Sequence, residues 1–123
     1  MSKKILCLDF DGVIHSYTSG WKGADVIPDP PVKGAFAFIR KAMQEFDVQV
    51  FSSRSGLPGG IAAMIEWFLD NGWDGTLLTG VQGIGFPTQK PPAFVAIDDR
   101  ALTFTGTWPE IQTLVNFKPW NKK

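Results

Sequence analysis

The sequence lacks several features that would assign it to particular classes of protein. Its 123 residues include one cysteine and one histidine, and twelve basic residues balance twelve acidic ones. One cysteine cannot form an intramolecular disulfide, which favours a reducing compartment, and a net charge of zero predicts neither nucleic acid nor a membrane surface as a partner. No apolar stretch approaches the length of a membrane span. We therefore expect a cytoplasmic protein.

Length and composition predict one globular domain covering residues 1–123. Hydrophobic residues make up 44% of the chain, enough to bury a core. The basic start followed by apolar residues resembles a signal peptide, but Asp9 and Asp11 interrupt the apolar run too early. We expect Cys7 to pack as a small hydrophobe. A catalytic thiol is the less favoured alternative, because His15 has no evident triad partner.

The stretch from Lys4 to Ile14 organises the rest of the chain. A short apolar run precedes Asp9, Asp11 and Gly12, which is typical of a strand buried in a parallel sheet. Asp9 then lies at the carboxyl end of the strand, where open α/β sheets bind ligands. Two carboxylates there repel each other unless a cation lies between them or one is protonated. The alternative is an Asp-Gly turn whose acids merely cap the strand.

Strand and helix patterns alternate along the chain, which predicts an α/β fold: a three-layer sandwich with a mainly parallel central sheet and helices on both faces. Strands are predicted at the start of the chain and over 47–51, 76–78 and 93–97, with an edge strand over 102–104. Helices are predicted over 32–46, 59–71 and 108–115. Long loops are predicted over 15–31 and 81–92.

The first long loop, residues 15–31, is predicted to be a flap. Loops of this length are usually functional lids, and this one is rich in Ser, Gly, Asp and Pro. Alternatively, Tyr17 and Trp21 pin the loop to the domain surface, which is compatible with a lid.

Polar side chains follow the predicted strands at their carboxyl ends. Asp9 and Asp11 follow the first strand, 52–54 the second, and Asp98 and Asp99 the last, which Lys90 precedes. Because the carboxyl ends of parallel strands lie at one edge of a sheet, we expect these groups to converge. Hard oxygen ligands favour Mg²⁺ over zinc, and a lysine and a hydroxyl beside Mg²⁺ suit the transfer of a phosphoryl group.

These motifs, in this order, resemble those of the haloacid dehalogenase-like (HAD) phosphohydrolases over nearly the whole chain. The sequence 9–13, Asp-Phe-Asp-Gly-Val, matches the first motif of that family. Ser52 matches the second motif, Lys90 the third, and the acidic pair 98–99 after an apolar strand the fourth. The resemblance implies a small, capless, Rossmann-like phosphatase domain that depends on Mg²⁺.

The resemblance also implies catalytic roles for three residues. Asp9 would attack phosphorus and form an aspartyl-phosphate. Asp11 would protonate the leaving oxygen and then deprotonate the hydrolytic water. Lys90 would offset the negative charge between Asp9 and the phosphate. Dehalogenating relatives lack an aspartate at the position of Asp11, because a halide leaves without a proton, so Asp11 favours a phosphatase or phosphotransferase.

Further residues are implied as ligands of the metal and of the phosphate. The metal ligands would be Asp9, Asp98, Asp99 and the backbone carbonyl of Asp11; whether Asp98 or Asp99 binds directly is left open. Phosphate contacts are implied at Ser52, Ser53, Arg54 and Gly12, with Ser52 donating a hydrogen bond to a phosphoryl oxygen.

The intervals between motifs are too short for a large cap domain, which predicts an open site. Such a site suits a bulky phosphorylated substrate, such as a nucleic-acid end or a phosphoprotein, or closure by another subunit. Arg54 either grips a second phosphate or a backbone, or pairs with a surface acid. His15 and Trp21 either line the entrance or pack within the loop.

Two other functions are weighed against the phosphatase. A phosphotransfer or phospho-accepting signalling module of receiver type uses similar residues, but its phosphorylated aspartate ends the third strand, where this chain has no fitting aspartate. The other alternative is a member of the same fold that binds a ligand without catalysis. The presence of all the motif residues counts against it.

Overall fold

The computed structural model describes residues 3–74 and 83–121, and its centre is a three-stranded parallel sheet. The strands are β1 (Lys4–Leu8), β2 (Phe46–Val50) and β3 (Val95–Ile97), in the order β2-β1-β3. In the register, Leu6 lies opposite both Val48 and Val95. The prediction of an α/β fold around a parallel sheet is confirmed.

Three helices accompany the sheet: α1 (Ala35–Ala42), α2 (Gly60–Asp70) and α3 (Ile111–Val115). The helix predicted over 59–71 agrees closely with α2. The helix predicted over 32–46 was too long, because Gly34 adopts the left-handed backbone (φ 82°) before α1 and Phe46 already pairs in β2. Among the described helices, none combines the length and apolar character needed to cross a membrane.

The two edges of the sheet differ from the sequence prediction. Residues 102–104, predicted as an edge strand, form no strand, and their apolar side chains are exposed. Instead, Gly85, inside the predicted loop 81–92, lies beside β2: its N–H donates to the Val48 carbonyl at 2.9 Å and its carbonyl accepts the Val50 N–H at 2.8 Å. The strand predicted over 76–78 lies outside the described residues.

Only part of the predicted layering is present in the described residues. α1 and α2 contact one another through aromatic side chains, with Phe36 stacked on Phe68 at 5.3 Å between ring centroids. All five residues of α3 are exposed, and so are the residues of β3. A three-layer sandwich with helices on both faces therefore stays a prediction.

An aromatic cluster forms the centre of the core. Phe68 is fully buried and contacts the rings of Phe10, Phe36, Trp73 and Phe86 at centroid distances between 5.3 and 6.3 Å. Phe10 lies between Asp9 and Asp11 in the sequence, so its burial in the cluster fixes the backbone between these two acids. The packing of α2 and the placement of the first acidic motif therefore depend on the same side chains.

Removing the centre of this cluster should destabilise the fold strongly. We expect Phe68→Ala to lower the free energy of unfolding by about 3–5 kcal/mol, because it deletes a fully buried ring. Leu69→Ala, at the next position of α2, should cost less than about 1 kcal/mol, because Leu69 is 55% exposed. Urea unfolding followed by circular dichroism measures both, and equal losses would contradict the burial of Phe68.

Candidate active site

Three carboxylates meet at the carboxyl edge of the sheet. Asp9 directly follows β1, and its N–H donates to the carbonyl of Ile97, the last residue of β3, at 3.0 Å. Asp98 and Asp99 follow β3 immediately. One carboxylate oxygen from each of the three aspartates lies within 4.8 Å of the others. The structure thus brings together the first and fourth acidic motifs, as the sequence predicted.

The crowding of these carboxylates changes the acidity of Asp9. Burial raises its pKa to about 8, helped by a side-chain hydrogen bond with Asp99 and the negative charge of Asp98. A carboxyl with that pKa is mostly protonated at neutral pH, unless a cation compensates the charge.

The same cluster fits a hard divalent cation. It offers oxygen donors from three side chains, and Oδ1 of Asp99 is buried without a hydrogen-bond partner among the described residues. Oxygen-only donor sets suit Mg²⁺. Asp9, Asp98 and Asp99 are therefore the residues that could hold a metal.

A cavity of about 270 Å³ opens beside Asp9 and brings together three of the six remaining predicted residues, Ser52, Ser53 and Lys90. Its polar lining is contributed by Asp9, Ser52, Ser53, Lys90 and Asp98. Cys7 also lines it, and burial raises the pKa of the Cys7 thiol, which disfavours the reactive thiolate. Two carboxyl groups, two hydroxyl groups and one lysine thus share one cavity.

Ser52 owes its position to the turn that follows β2. The N–H of Phe51 donates to the Leu8 carbonyl at 3.1 Å, the N–H of Ser52 donates to Oγ of Ser55 at 3.0 Å, and Oγ of Ser52 accepts the N–H of Arg54 at 2.9 Å. As an acceptor there, the Ser52 hydroxyl keeps its own hydrogen for donation into the cavity.

Gly12 leaves room for the side chain of Asp99. Its φ is 86°, and a Cβ built on it would lie 2.1 Å from Oδ2 of Asp99, which only glycine permits. Its N–H donates to the His15 carbonyl at 2.8 Å, so this amide is already engaged. The Gly12 carbonyl accepts Nε1–H of Trp120 at 2.7 Å. The predicted phosphate-binding role of Gly12 is therefore not supported.

Arg54 contacts Asp11 and is not among the residues that line the cavity. Its side chain is fully buried, and Nε donates to Oδ2 of Asp11 at 2.9 Å and Nη2 to Oδ1 at 3.1 Å. Of the two roles weighed for Arg54, pairing with an acid is the one present, and that acid is half of the first motif. The expectation that Arg54 grips a phosphate is not supported, because no part of its guanidinium is exposed.

The flap, residues 15–31, is held down through Arg54. Nη1 of Arg54 donates to the carbonyls of Gly23, Ala24 and Val26 at 2.7–3.2 Å. The guanidinium carbon lies 4.7 Å from the ring centroid of Trp21, a cation–π contact. In this structure the flap is therefore pinned to the domain, through Arg54 and Trp21, as the interpretation of the loop aromatics predicted for Trp21.

His15 is a functional candidate whose role sequence reasoning missed. Its side chain is fully buried, and Nδ1 lies 2.9 Å from Oδ1 of Asp11. The i, i+4 spacing of an acid and the only histidine was the available signal. The partner on its other nitrogen, the N–H of Asp29 at 3.1 Å, lies fourteen residues away and has no sequence signature.

Comparisons with models of known protein families, with curated proteins and with solved structures found no match. The function must therefore be inferred from the arrangement and chemistry of these residues.

The raised pKa of Asp9 predicts a pH-dependent stability of the metal-free protein. The folded pKa of about 8 lies above the ordinary value of 3.8. Burial of the protonated Asp9 carboxyl therefore contributes to the free energy of unfolding fully below about pH 4, and this contribution is lost as the pH rises through 8. Asp9→Asn cannot ionise, so its stability relative to the parent should increase between pH 5 and pH 9, by up to about 4 kcal/mol.

Thermal unfolding in EDTA from pH 5 to pH 9 measures this difference, and Asp70→Asn, at an exposed position of α2, is the matched control. A parent and an Asp9→Asn variant with parallel pH profiles would contradict the assigned pKa. Adding Mg²⁺ at pH 8 should raise the melting temperature of the parent more than that of Asp9→Asn.

Proposed function

We propose that this chain is a Mg²⁺-dependent phosphatase of the HAD-like type, hydrolysing a phosphate monoester through an aspartyl-phosphate on Asp9. The observation that supports this most is the convergence of Asp9, Ser52, Lys90 and Asp98 on one cavity, with Asp99 beside them. A nucleophilic carboxylate, a hydroxyl donor, a lysine and a cation site are the groups that phosphoryl transfer needs.

In the first step of the proposed reaction, a carboxylate oxygen of Asp9 attacks phosphorus, and the bond between phosphorus and the leaving oxygen breaks. Asp11 gives its proton to that leaving oxygen. The Ser52 hydroxyl and the Lys90 ammonium bind phosphoryl oxygens and offset the charge that gathers as the attacking carboxylate approaches.

In the second step, the ionised Asp11 takes a proton from water as the water oxygen attacks phosphorus. The bond between phosphorus and Asp9 breaks, which releases phosphate and restores both carboxyl groups to their starting states. A phosphate ester needs this proton donor because its leaving oxygen would otherwise depart as an alkoxide, and Asp11 supplies it.

Attack by Asp9 requires its ionised form, which burial and its acidic neighbours disfavour. Mg²⁺ held by Asp9, by Asp98 or Asp99, and by the Asp11 carbonyl would supply the positive charge that favours the carboxylate and polarises the phosphoryl group. Activity should therefore require the divalent cation.

We further propose a bulky phosphorylated substrate, a nucleic-acid end or a phosphoprotein, acted on in the cytoplasm. The support is that the flap is short and pinned down by Arg54, so the described residues include no large cap that would enclose a small metabolite. The second candidate function is a phospho-accepting module in which Asp9 is phosphorylated without turnover, since the same groups serve both.

The first test is hydrolysis of p-nitrophenyl phosphate and of 3′- and 5′-phosphorylated oligonucleotides with Mg²⁺. We expect Asp9→Asn to lower kcat by about 10³-fold or more, since it removes the nucleophile. Lys90→Met should lower kcat/KM by roughly 10²-fold, because it removes one charge from the transition state. Lys118→Met is the matched control for the loss of a lysine and should leave the rate unchanged.

Three outcomes separate the candidates. Turnover that EDTA and Asp9→Asn both abolish supports the phosphatase. A stable phosphoryl group on Asp9 with no phosphate release supports the phospho-accepting module. Full turnover by Asp9→Asn, or in EDTA, would contradict the proposal.

A further inference from the structure

The Asp11 carboxylate is held from two sides by buried donors. Its Oδ1 accepts hydrogen bonds from Nδ1 of His15 at 2.9 Å, from Nη2 of Arg54 at 3.1 Å and from Nε of Arg54 at 3.2 Å. Oδ2 accepts one, from Nε of Arg54 at 2.9 Å. The two oxygens are therefore unequal: Oδ1 is saturated by protein donors, and Oδ2 keeps the capacity to carry a proton.

The backbone of the flap decides which nitrogen of His15 carries the hydrogen. The N–H of Asp29 points at Nε2 from 3.1 Å, and a backbone N–H can act only as a donor. Nε2 must therefore be the unprotonated acceptor, and Nδ1 carries the hydrogen toward Asp11. Oδ2 of Asp29 lies 3.6 Å from Nε2, too far for a hydrogen bond, and it accepts the Ser19 N–H instead.

The imidazole cannot rotate out of this arrangement without disturbing the core. The ring of His15 lies between Phe10 (5.5 Å between centroids), Tyr17 (5.9 Å) and Trp67 (5.6 Å). Nε1–H of Trp67 donates at 2.9 Å to the carbonyl of Asp29, the residue whose N–H contacts His15. Phe10, Trp67 and Asp29 are buried, and Tyr17 is partly buried.

We propose that His15 is a positioning residue for Asp11: by donating Nδ1–H to Oδ1, opposite Arg54, it orients the carboxyl group so that Oδ2 is the oxygen that exchanges a proton with the leaving group. This inference rests on the proposed function. His15 is not among the residues that line the cavity, so we expect its effect on the reaction to pass through Asp11.

Leaving groups of different basicity separate positioning from a merely structural role. p-Nitrophenolate leaves without a proton, whereas the alkoxide of glycerol 2-phosphate needs one. His15→Phe keeps a ring in the aromatic site and removes the donor. We expect it to lower kcat for glycerol 2-phosphate about 10-fold more than kcat for p-nitrophenyl phosphate, with KM little changed.

His15→Asn is the conservative variant, because its amide N–H lies close to the position of Nδ1. It should restore part of the rate toward glycerol 2-phosphate, although it packs worse than Phe. Equal losses for both substrates in His15→Phe, or no recovery in His15→Asn relative to His15→Phe, would overturn the positioning role while leaving the phosphatase assignment intact.

A spectroscopic measurement on the parent protein and one variant needs no activity. Because the chain contains a single histidine, a long-range ¹H–¹⁵N spectrum reports His15 without ambiguity. Nδ1 should appear protonated and Nε2 unprotonated, and Asp11→Asn should shift the Nδ1–H resonance because it replaces the carboxyl oxygen that accepts this hydrogen bond. An Nε2–H tautomer, or a resonance insensitive to Asp11→Asn, would overturn the inference even in a protein that hydrolyses no phosphate ester.

Discussion

The repulsion among Asp9, Asp98 and Asp99 is the constraint on which the rest of this structure depends. A parallel sheet brings the ends of β1 and β3 together, and the chain places an acid at each end. Burial of such a cluster disfavours its own ionisation, which the raised pKa of Asp9 reports. The fold tolerates the cost of burying these acids because the aromatic core that includes Phe10 fixes the strand ends, and because Gly12 leaves room for Asp99. An arrangement that is costly without a cation is better explained by chemistry than by stability.

Asp9 and Asp11 are two residues apart, yet they face different surroundings. Asp9 joins the acidic cluster at the cavity, whereas Asp11 is surrounded by donors from Arg54 and His15. Two carboxyl groups with such different surroundings are suited to different tasks, one as a nucleophile and one as a proton carrier. The flap contributes to this difference, because its carbonyls hold Arg54 and the N–H of Asp29 orients His15.

Much of the sheet edge could be predicted from the sequence, because short apolar runs followed by acids carry their own signal. That signal identified β1 and the approach of Asp9 to Asp98, and helical periodicity identified α2. The ends of α1 were missed because a left-handed Gly34 and the pairing of Phe46 depend on neighbouring elements. The pairing of Gly85 with β2 was missed because a glycine in a polar loop has no strand pattern. The contact of His15 with Asp29 and that of Arg54 with Asp11 could not be predicted, since these partners lie 14 and 43 residues apart in sequence.

The central claim is that Asp9 accepts a phosphoryl group beside a bound cation. Rapid acid quenching of the protein during turnover of p-nitrophenyl phosphate with Mg²⁺, followed by mass spectrometry of its peptides, tests this directly. The account predicts that the peptide containing Asp9 gains one phosphoryl group, which disappears as phosphate is released and never forms in EDTA. Phosphate release with no phosphoryl group on that peptide, at any quench time, would contradict it.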